Sequence, residues 1–129
     1  MKKIVLVCLI TALLFAIVIL EQIFVDNTLT ALIGKIDNLD YEISNTENIN
    51  TKKIDDLASD LDSFWTNKEK IMCLIINHND LNKVGEQIKK VKVYVLQNDK
   101  DGCVYEIETL KFYAESYRHV MEINFQNLM

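Results

Sequence analysis

The 129-residue sequence contains no proline and only three glycines. Proline breaks the interior of a helix and glycine weakens one, so the shortage of both favours long helices. The glycines, at positions 34, 85 and 102, lie too far apart to form the GxGxxG or Walker loops that bind phosphate. The composition therefore favours an all-α fold and excludes nucleotide-binding folds that depend on a Gly-rich loop.

Cysteine is also scarce, and its spacing carries no metal-binding pattern. Cys8, Cys73 and Cys103 contain no CxxC pair, and neither histidine lies at zinc-finger spacing. We therefore expect no metal ion and no cofactor. The chain is acidic, with a formal net charge of -5. An acidic surface repels phosphate backbones, so we also expect no nucleic-acid partner.

Charged residues are missing from one long segment, Ile4 to Leu20, which is an uninterrupted apolar run of 17 residues. At helical rise it is about 26 Å long, which is at the short end of what spans a bilayer. A cleaved signal peptide is the alternative, but its apolar region is typically ~7–15 residues long and ends in a small-x-small site. Here the run is longer and no polar stretch ends it. Residues 1–25 are therefore predicted to form an uncleaved membrane anchor.

The charges that flank this run predict its orientation. Lys2 and Lys3 precede it, whereas Glu21 and Asp26 follow it. Positive charge is retained on the cytoplasmic side of membranes. We therefore expect a single-pass plasma-membrane protein with its N-terminus inside and residues 26–129 outside. That topology leaves about three residues in the cytoplasm, which is too few for an internal output domain.

Four segments after the run carry apolar residues spaced alternately by three and four positions, as in amphipathic helices. Short polar breaks separate them, and these predict an up-down antiparallel four-helix bundle. Nothing before Leu29 stops a helix, so the first stripe is predicted to continue from the anchor. The four stripes are Leu29, Leu32, Ile36, Leu39 and Ile43; Ile54, Leu57, Leu61, Phe64, Ile71 and Ile75; Leu81, Val84, Ile88, Val91 and Val95; and Cys103, Ile107, Leu110, Ala114, Tyr117 and Met121.

The breaks between the stripes contain residues that commonly cap helices. Asp80 and Asp101 are predicted to be the N-caps of the third and fourth helices. In this topology Cys73 and Cys103 lie near opposite ends of the bundle, roughly 20 Å apart. A disulfide requires Cα atoms within about 7 Å, so both cysteines are expected to be free thiols.

Histidine and glutamate in the last segment form the nearest match to a ferritin-like metal site. Glu115, His119 and Glu122 are spaced along one helix, but helical geometry directs His119 away from the core stripe. A surface ion cluster is the favoured interpretation, with an exposed, opportunistic metal site as the alternative. His78 is predicted to interact with the last carbonyls of the second helix. Because no nucleophile is identified beside either histidine, the chain is not expected to be an enzyme.

Two apolar features leave a core role and a contact role open. Trp65 is the only tryptophan. It is predicted either to pack in the core or to anchor a partner protein. The segment from Val120 to Met129 is apolar on more than one face. It covers the base of the bundle, forms a docking surface that includes Phe125, or frays.

Several short motifs resemble a known family. They are Trp65 in the second segment, the stretch Ile75–Leu81 (IINHNDL), and the terminal Asn127-Leu128-Met129. The chain resembles small uncharacterised membrane proteins of spore-forming Gram-positive bacteria that contain a domain of unknown function. That family's pattern is a tryptophan, a histidine followed by an acidic residue, and a terminal Asn-Ile-Leu. The resemblance implies an anchored helical domain and no specific activity. Together with the tail, it gives the possible interaction residues Trp65, His78, Asp80, Phe125, Asn127 and Leu128.

Two functions follow from these features. The first hypothesis is a membrane-tethered interaction protein or accessory subunit of the cell or spore envelope, whose partner is a membrane or envelope protein. The second is a ligand-binding, sensor-like four-helix module that acts through a membrane partner. The second requires polar groups between the helices, and Lys68 is the main candidate.

Overall fold

The computed structural model describes residues 1–128, except for the side chains at positions 124, 125 and 128. Within this range the chain forms four helices and no strand, so the predicted all-α class is confirmed. The helices are α1 (Lys2–Ser44), α2 (Lys52–Met72), α3 (His78–Leu96) and α4 (Lys100–Leu128).

Helix α1 has 43 residues and is therefore about 64 Å long. It runs from the apolar segment into the first stripe without a break, as the sequence predicts. Burial begins at Val25, and in the part of the chain that the structure describes the apolar residues from Ile4 to Leu20 are exposed. Among the described residues, α1 is the one helix long and apolar enough to cross a membrane.

The four helices pack as a ring in which each contacts the next and α4 closes on α1. Ion pairs show that neighbours run in opposite directions. Lys53 pairs with Glu42, whereas Asp60, about two turns further along α2, pairs with the earlier Lys35 of α1. The helices thus form an antiparallel bundle in which the α1–α2 loop and the α3–α4 turn share one end.

Hydrogen bonds from two backbone amides to one side chain join the two connections at that end, which we call the distal end. The amides of Ile49 and Asn50 donate to Oδ1 of Asn98 at 2.9 and 3.3 Å. Asn98 has a φ of 53°, a left-handed conformation that asparagine tolerates better than most residues. At the opposite, basal end, Nε2 of Gln22 donates to the carbonyl of Met121, 3.3 Å away. The basal end therefore holds the α2–α3 turn and the last turns of α4.

The core confirms three of the four predicted stripes. The first and third stripes are buried throughout, and in the fourth only Tyr117 and Met121 are partly exposed. Gln87, which the sequence analysis missed, is also buried and donates to the backbone carbonyl and the carboxylate of Glu106. These hydrogen bonds satisfy a buried amide and hold α3 against α4.

The predicted stripe of α2 was right as far as Leu61 and wrong in its rotation about the helix axis beyond it. Trp65 and Met72 are 1% and 0% exposed, whereas the predicted core residue Ile71 is 48% exposed. Phe64 is only half-buried and lies beside α1, where Nζ of Lys35 is 5.2 Å from its ring centroid. The apolar face of α2 is wide because it packs against both α1 and α3.

The two predicted N-caps were also wrong. Oδ1 of Asn77 accepts from the amide of Asn79 at 2.9 Å, so Asn77 caps α3 and Asp80 lies in its first turn. The carboxylate of Asp80 complements the positive end of the helix dipole of α3. At α4, Oδ1 of Asp99 accepts from the amide of Gly102 at 3.0 Å, which leaves Asp101 in the first turn.

Candidate interaction surfaces

Trp65 lies in the core between α2 and α3, so its indole is not on the surface. It packs against Gly85, where an added Cβ would lie 3.5 Å from Nε1. Nε1 is buried without a hydrogen-bond partner in the part of the chain that the structure describes. The tryptophan therefore joins two helices through apolar contact.

His78 lies at the base, but not where the sequence placed it. It is the first residue of α3, and within the described part of the chain its ring makes no hydrogen bond to a carbonyl of α2, so the predicted interaction is not seen. Its Nδ1 lies 3.4 Å from Sγ of Cys73, and the imidazole is exposed. An imidazole beside a thiol can accept its proton, but nucleophilic catalysis also requires a group that orients the base. The described residues hold no cluster of three histidine, cysteine or acidic side chains that could bind a metal ion.

Cys103 has a different environment at the distal end. It is buried in the core, and burial, with smaller contributions from the charges of Asp99 and Asp40, raises the pKa of its thiol to about 11. The thiolate is the reactive form of cysteine, so Cys103 is inert at neutral pH. Cys73 and Cys103 are both free thiols, in agreement with the sequence prediction.

The cluster predicted on α4 is exposed. His119 points to solvent as expected, and Glu115 and Glu122 are exposed beside it. Nε of Arg118 lies 3.5 Å from the carboxylates of both Glu122 and Asp26. The region thus contains an ion-pair cluster that links α4 to α1.

A second ion-pair cluster fixes the same two helices nearer the distal end. Nζ of Lys111 lies 3.0 Å from Asp37 and 3.2 Å from Asp40. Burial lowers the pKa of Lys111, but the hydrogen bonds and charges of the two aspartates outweigh it and raise the pKa overall. Lys111 therefore stays charged and sets the register of α4 on α1.

Lys68, the candidate ligand group, contacts aromatic rings of its own chain. Its Nζ lies 5.6 Å from the ring centroid of Phe24 and 5.9 Å from that of Phe64. Such cation–π contacts stabilise a partly buried ammonium group. They engage Lys68 with its own chain, at a surface groove that it lines together with the same two rings.

The outer face of α4 exposes two aromatic residues that the sequence analysis did not single out. Tyr105 and Phe112 are 71% and 66% exposed and lie seven positions apart. Two helical turns separate them, so they share one face, on the side of α4 opposite its buried stripe. The sequence did contain a signal for this face, because both residues are spaced to lie opposite the core stripe of α4. Aromatic side chains are enriched in protein interfaces, which makes this face a candidate contact surface.

The C-terminal tail is only partly described. Val120, Ile123 and Asn127 are exposed. The side chains of Phe125 and Leu128, both predicted interaction residues, lie outside the described residues. Asp80, the remaining candidate, is half-buried at the start of α3. The possible interaction residues named from the sequence therefore do not form one surface in the part that can be described.

One family's sequence model matches residues 19–128, which is most of the chain. The chain belongs to that family, described as "Domain of unknown function (DUF4363)". This membership confirms the resemblance to a domain of unknown function. The DUF4363 region covers the described bundle and includes the last two residues of the apolar run. No curated protein and no solved structure matches the chain.

Proposed function

We propose that this DUF4363 protein is a single-pass membrane protein whose bundle lies outside the plasma membrane and binds another membrane or envelope protein. Residues 1–25 are the anchor and residues 26–129 the extracytoplasmic part. The anchor is supported by the exposed apolar surface of α1 before Leu20, which no other helix covers. The orientation is supported by Lys2 and Lys3, because positive charge is retained inside.

The role in protein binding rests on the outer face of α4. Tyr105 and Phe112 expose most of their ring surface there, although water contact with large apolar surface is unfavourable. A partner that covered both rings would bury as much apolar surface as aromatic residues do where they anchor protein interfaces. The proposal assigns no catalysis to the chain. The sensor-like alternative has less support, because Lys68 already contacts two aromatic rings.

The contact surface is tested by capture of partners from detergent-solubilised membranes with the double variant Tyr105→Ser, Phe112→Ser. We expect the recovery of a stoichiometric partner to fall sharply, because both aromatic anchors are removed while the core is untouched. Leu96→Ser is the matched control, since Leu96 is also an exposed apolar residue but lies at the end of α3. A partner recovered equally with both variants would place the contact elsewhere. A small molecule that co-purified without any protein would favour the sensor-like alternative.

A further inference from the structure

The turn between α2 and α3 exposes large aliphatic side chains to an unusual degree. Leu74 is 85% exposed, and Ile71, one turn earlier, is 48% exposed. Connections of this kind are normally polar because they face water. Here hydrogen bonds hold the segment in a defined shape, with the amides of Leu74 and Ile76 donating to the carbonyls of Ile71 and Met72 at 3.1 and 2.8 Å. These hydrogen bonds therefore hold Leu74 and Ile71 in exposed positions, and we call the two residues the apolar tip of the turn.

An ion pair between α1 and α2 gives the position of this tip along α1. Asp60 of α2 pairs with Lys35 of α1 on the antiparallel helices. From Asp60, α2 runs 12 residues to its end at Met72, about 18 Å toward the N-terminus of α1, which brings it level with Ile23. Leu74 lies in the turn just beyond this point. Leu74 is thus level with the residues at which the apolar run ends.

The thickness of a bilayer places that level at the edge of the hydrocarbon. A core about 30 Å thick requires about 20 helical residues, with a range of about 17–25, and the run from Ile4 to Leu20 supplies 17. The hydrocarbon therefore ends near Leu20, and the charged Glu21 lies at its edge. A side chain level with Glu21 lies at the boundary between acyl chains and headgroups.

We propose that the α2–α3 turn inserts Leu74, with Ile71 beside it, into the lipid of the leaflet that the anchor leaves. This inference rests on the proposed membrane anchor and adds a second lipid contact at the base of the bundle. Its occupant is phospholipid, because the same helix that carries the bundle fixes the turn against the apolar run. The nearby charged groups at this level, Glu21 and Lys70, are exposed and suit a headgroup layer. With two points of attachment, the bundle is held at a fixed angle to the membrane.

The test measures the depth of a fluorescent label on single-cysteine variants of the full chain. The native cysteines are replaced (Cys8→Ala, Cys73→Ser and Cys103→Ala), and a cysteine is introduced at Leu74, Leu96 or Leu13. Each variant is labelled with a nitrobenzoxadiazole group and placed in vesicles of phosphatidylcholine and phosphatidylglycerol. Leu96→Cys is the matched control at the distal end, and Leu13→Cys reports on the anchor. Because Leu74 and Leu96 are exposed, these two substitutions do not touch the core. Cys103 is buried, so circular dichroism verifies that the background without native cysteines keeps its helical fold.

We expect the label at position 74 to lose emission with a lipid spin quencher in the bilayer and to resist aqueous iodide, as at position 13. The label at position 96 should show the opposite pattern. Quenching of position 74 by iodide alone would place the turn in water and overturn the inference, while the anchor would stand if position 13 remained in lipid. Protection of position 74 from both quenchers would mean that protein covers it, which also overturns the inference. Iodide quenching at position 13 would defeat the proposed anchor itself, and the inserted turn with it.

Discussion

Replacing Trp65 with alanine is expected to lower the free energy of unfolding by about 3–5 kcal/mol. The side chain is 1% exposed and fills the space between α2 and α3 beside Gly85. Removing it deletes apolar contact on both helices and leaves a cavity, and no lost hydrogen bond adds to the cost because Nε1 has no partner in the described part. The loss is a large part of the ~5–15 kcal/mol that stabilises a typical domain. Urea unfolding of the full chain in mild detergent, followed by circular dichroism, measures it.

The control for Trp65 is an aromatic residue on the surface. Phe112→Ala removes a ring that is 66% exposed and should change the free energy of unfolding by less than about 0.5 kcal/mol. The pair separates the two roles that the sequence left open for Trp65. If Trp65→Ala left stability unchanged and abolished partner binding, the tryptophan would be an interaction anchor and its buried position would be wrong.

The second large effect compares two adjacent residues of α2. Met72→Ala should cost about 2–5 kcal/mol, because its side chain is 0% exposed and its removal leaves a cavity at the base of the core. Ile71→Ala should cost less than about 0.5 kcal/mol, since Ile71 is 48% exposed. The same unfolding measurement on both variants gives the difference directly. If Ile71→Ala cost more than Met72→Ala, the rotation of α2 predicted from the sequence would be right and the buried position of Met72 would be wrong.

The error on α2 shows where hydrophobic spacing becomes ambiguous. Phe64 and Trp65 are adjacent, and so are Ile71 and Met72, so two stripes with the same spacing run along the helix about 100° apart at these positions. Pattern alone cannot choose between them. The choice depends on tertiary packing, since Gly85 leaves room for the larger indole ring on the α3 side.

The other three stripes could be predicted because each has one clear apolar face. On α3, the buried residues Leu81, Val84 and Ile88 alternate with lysine, glutamate and asparagine. The helix starts were harder to place, since Asn77 and Asp80 both have side chains that can cap a helix. The hydrogen bond to the amide of Asn79 decides between them, and no sequence pattern reports it.

The candidate surfaces were less predictable than the fold. Trp65 and His78 were selected as residue types that often mark sites, but one is buried and the other contacts Cys73. Tyr105 and Phe112 became apparent only when the buried stripe of α4 showed which face was left open. An exposed face is defined by what packs elsewhere, so it depends on the assembled bundle.

The central claim is that the bundle lies outside a membrane that α1 crosses, and labelling at one position in intact cells tests it most directly. Leu96→Cys, with the native cysteines replaced, presents a thiol at the distal end of the bundle. We predict that a membrane-impermeant maleimide labels it in intact cells that express the chain, at the mass of the full 129-residue chain, while a cytoplasmic thiol protein stays unlabelled. Labelling that occurred only after lysis, or on a chain that began near residue 20, would contradict the claim.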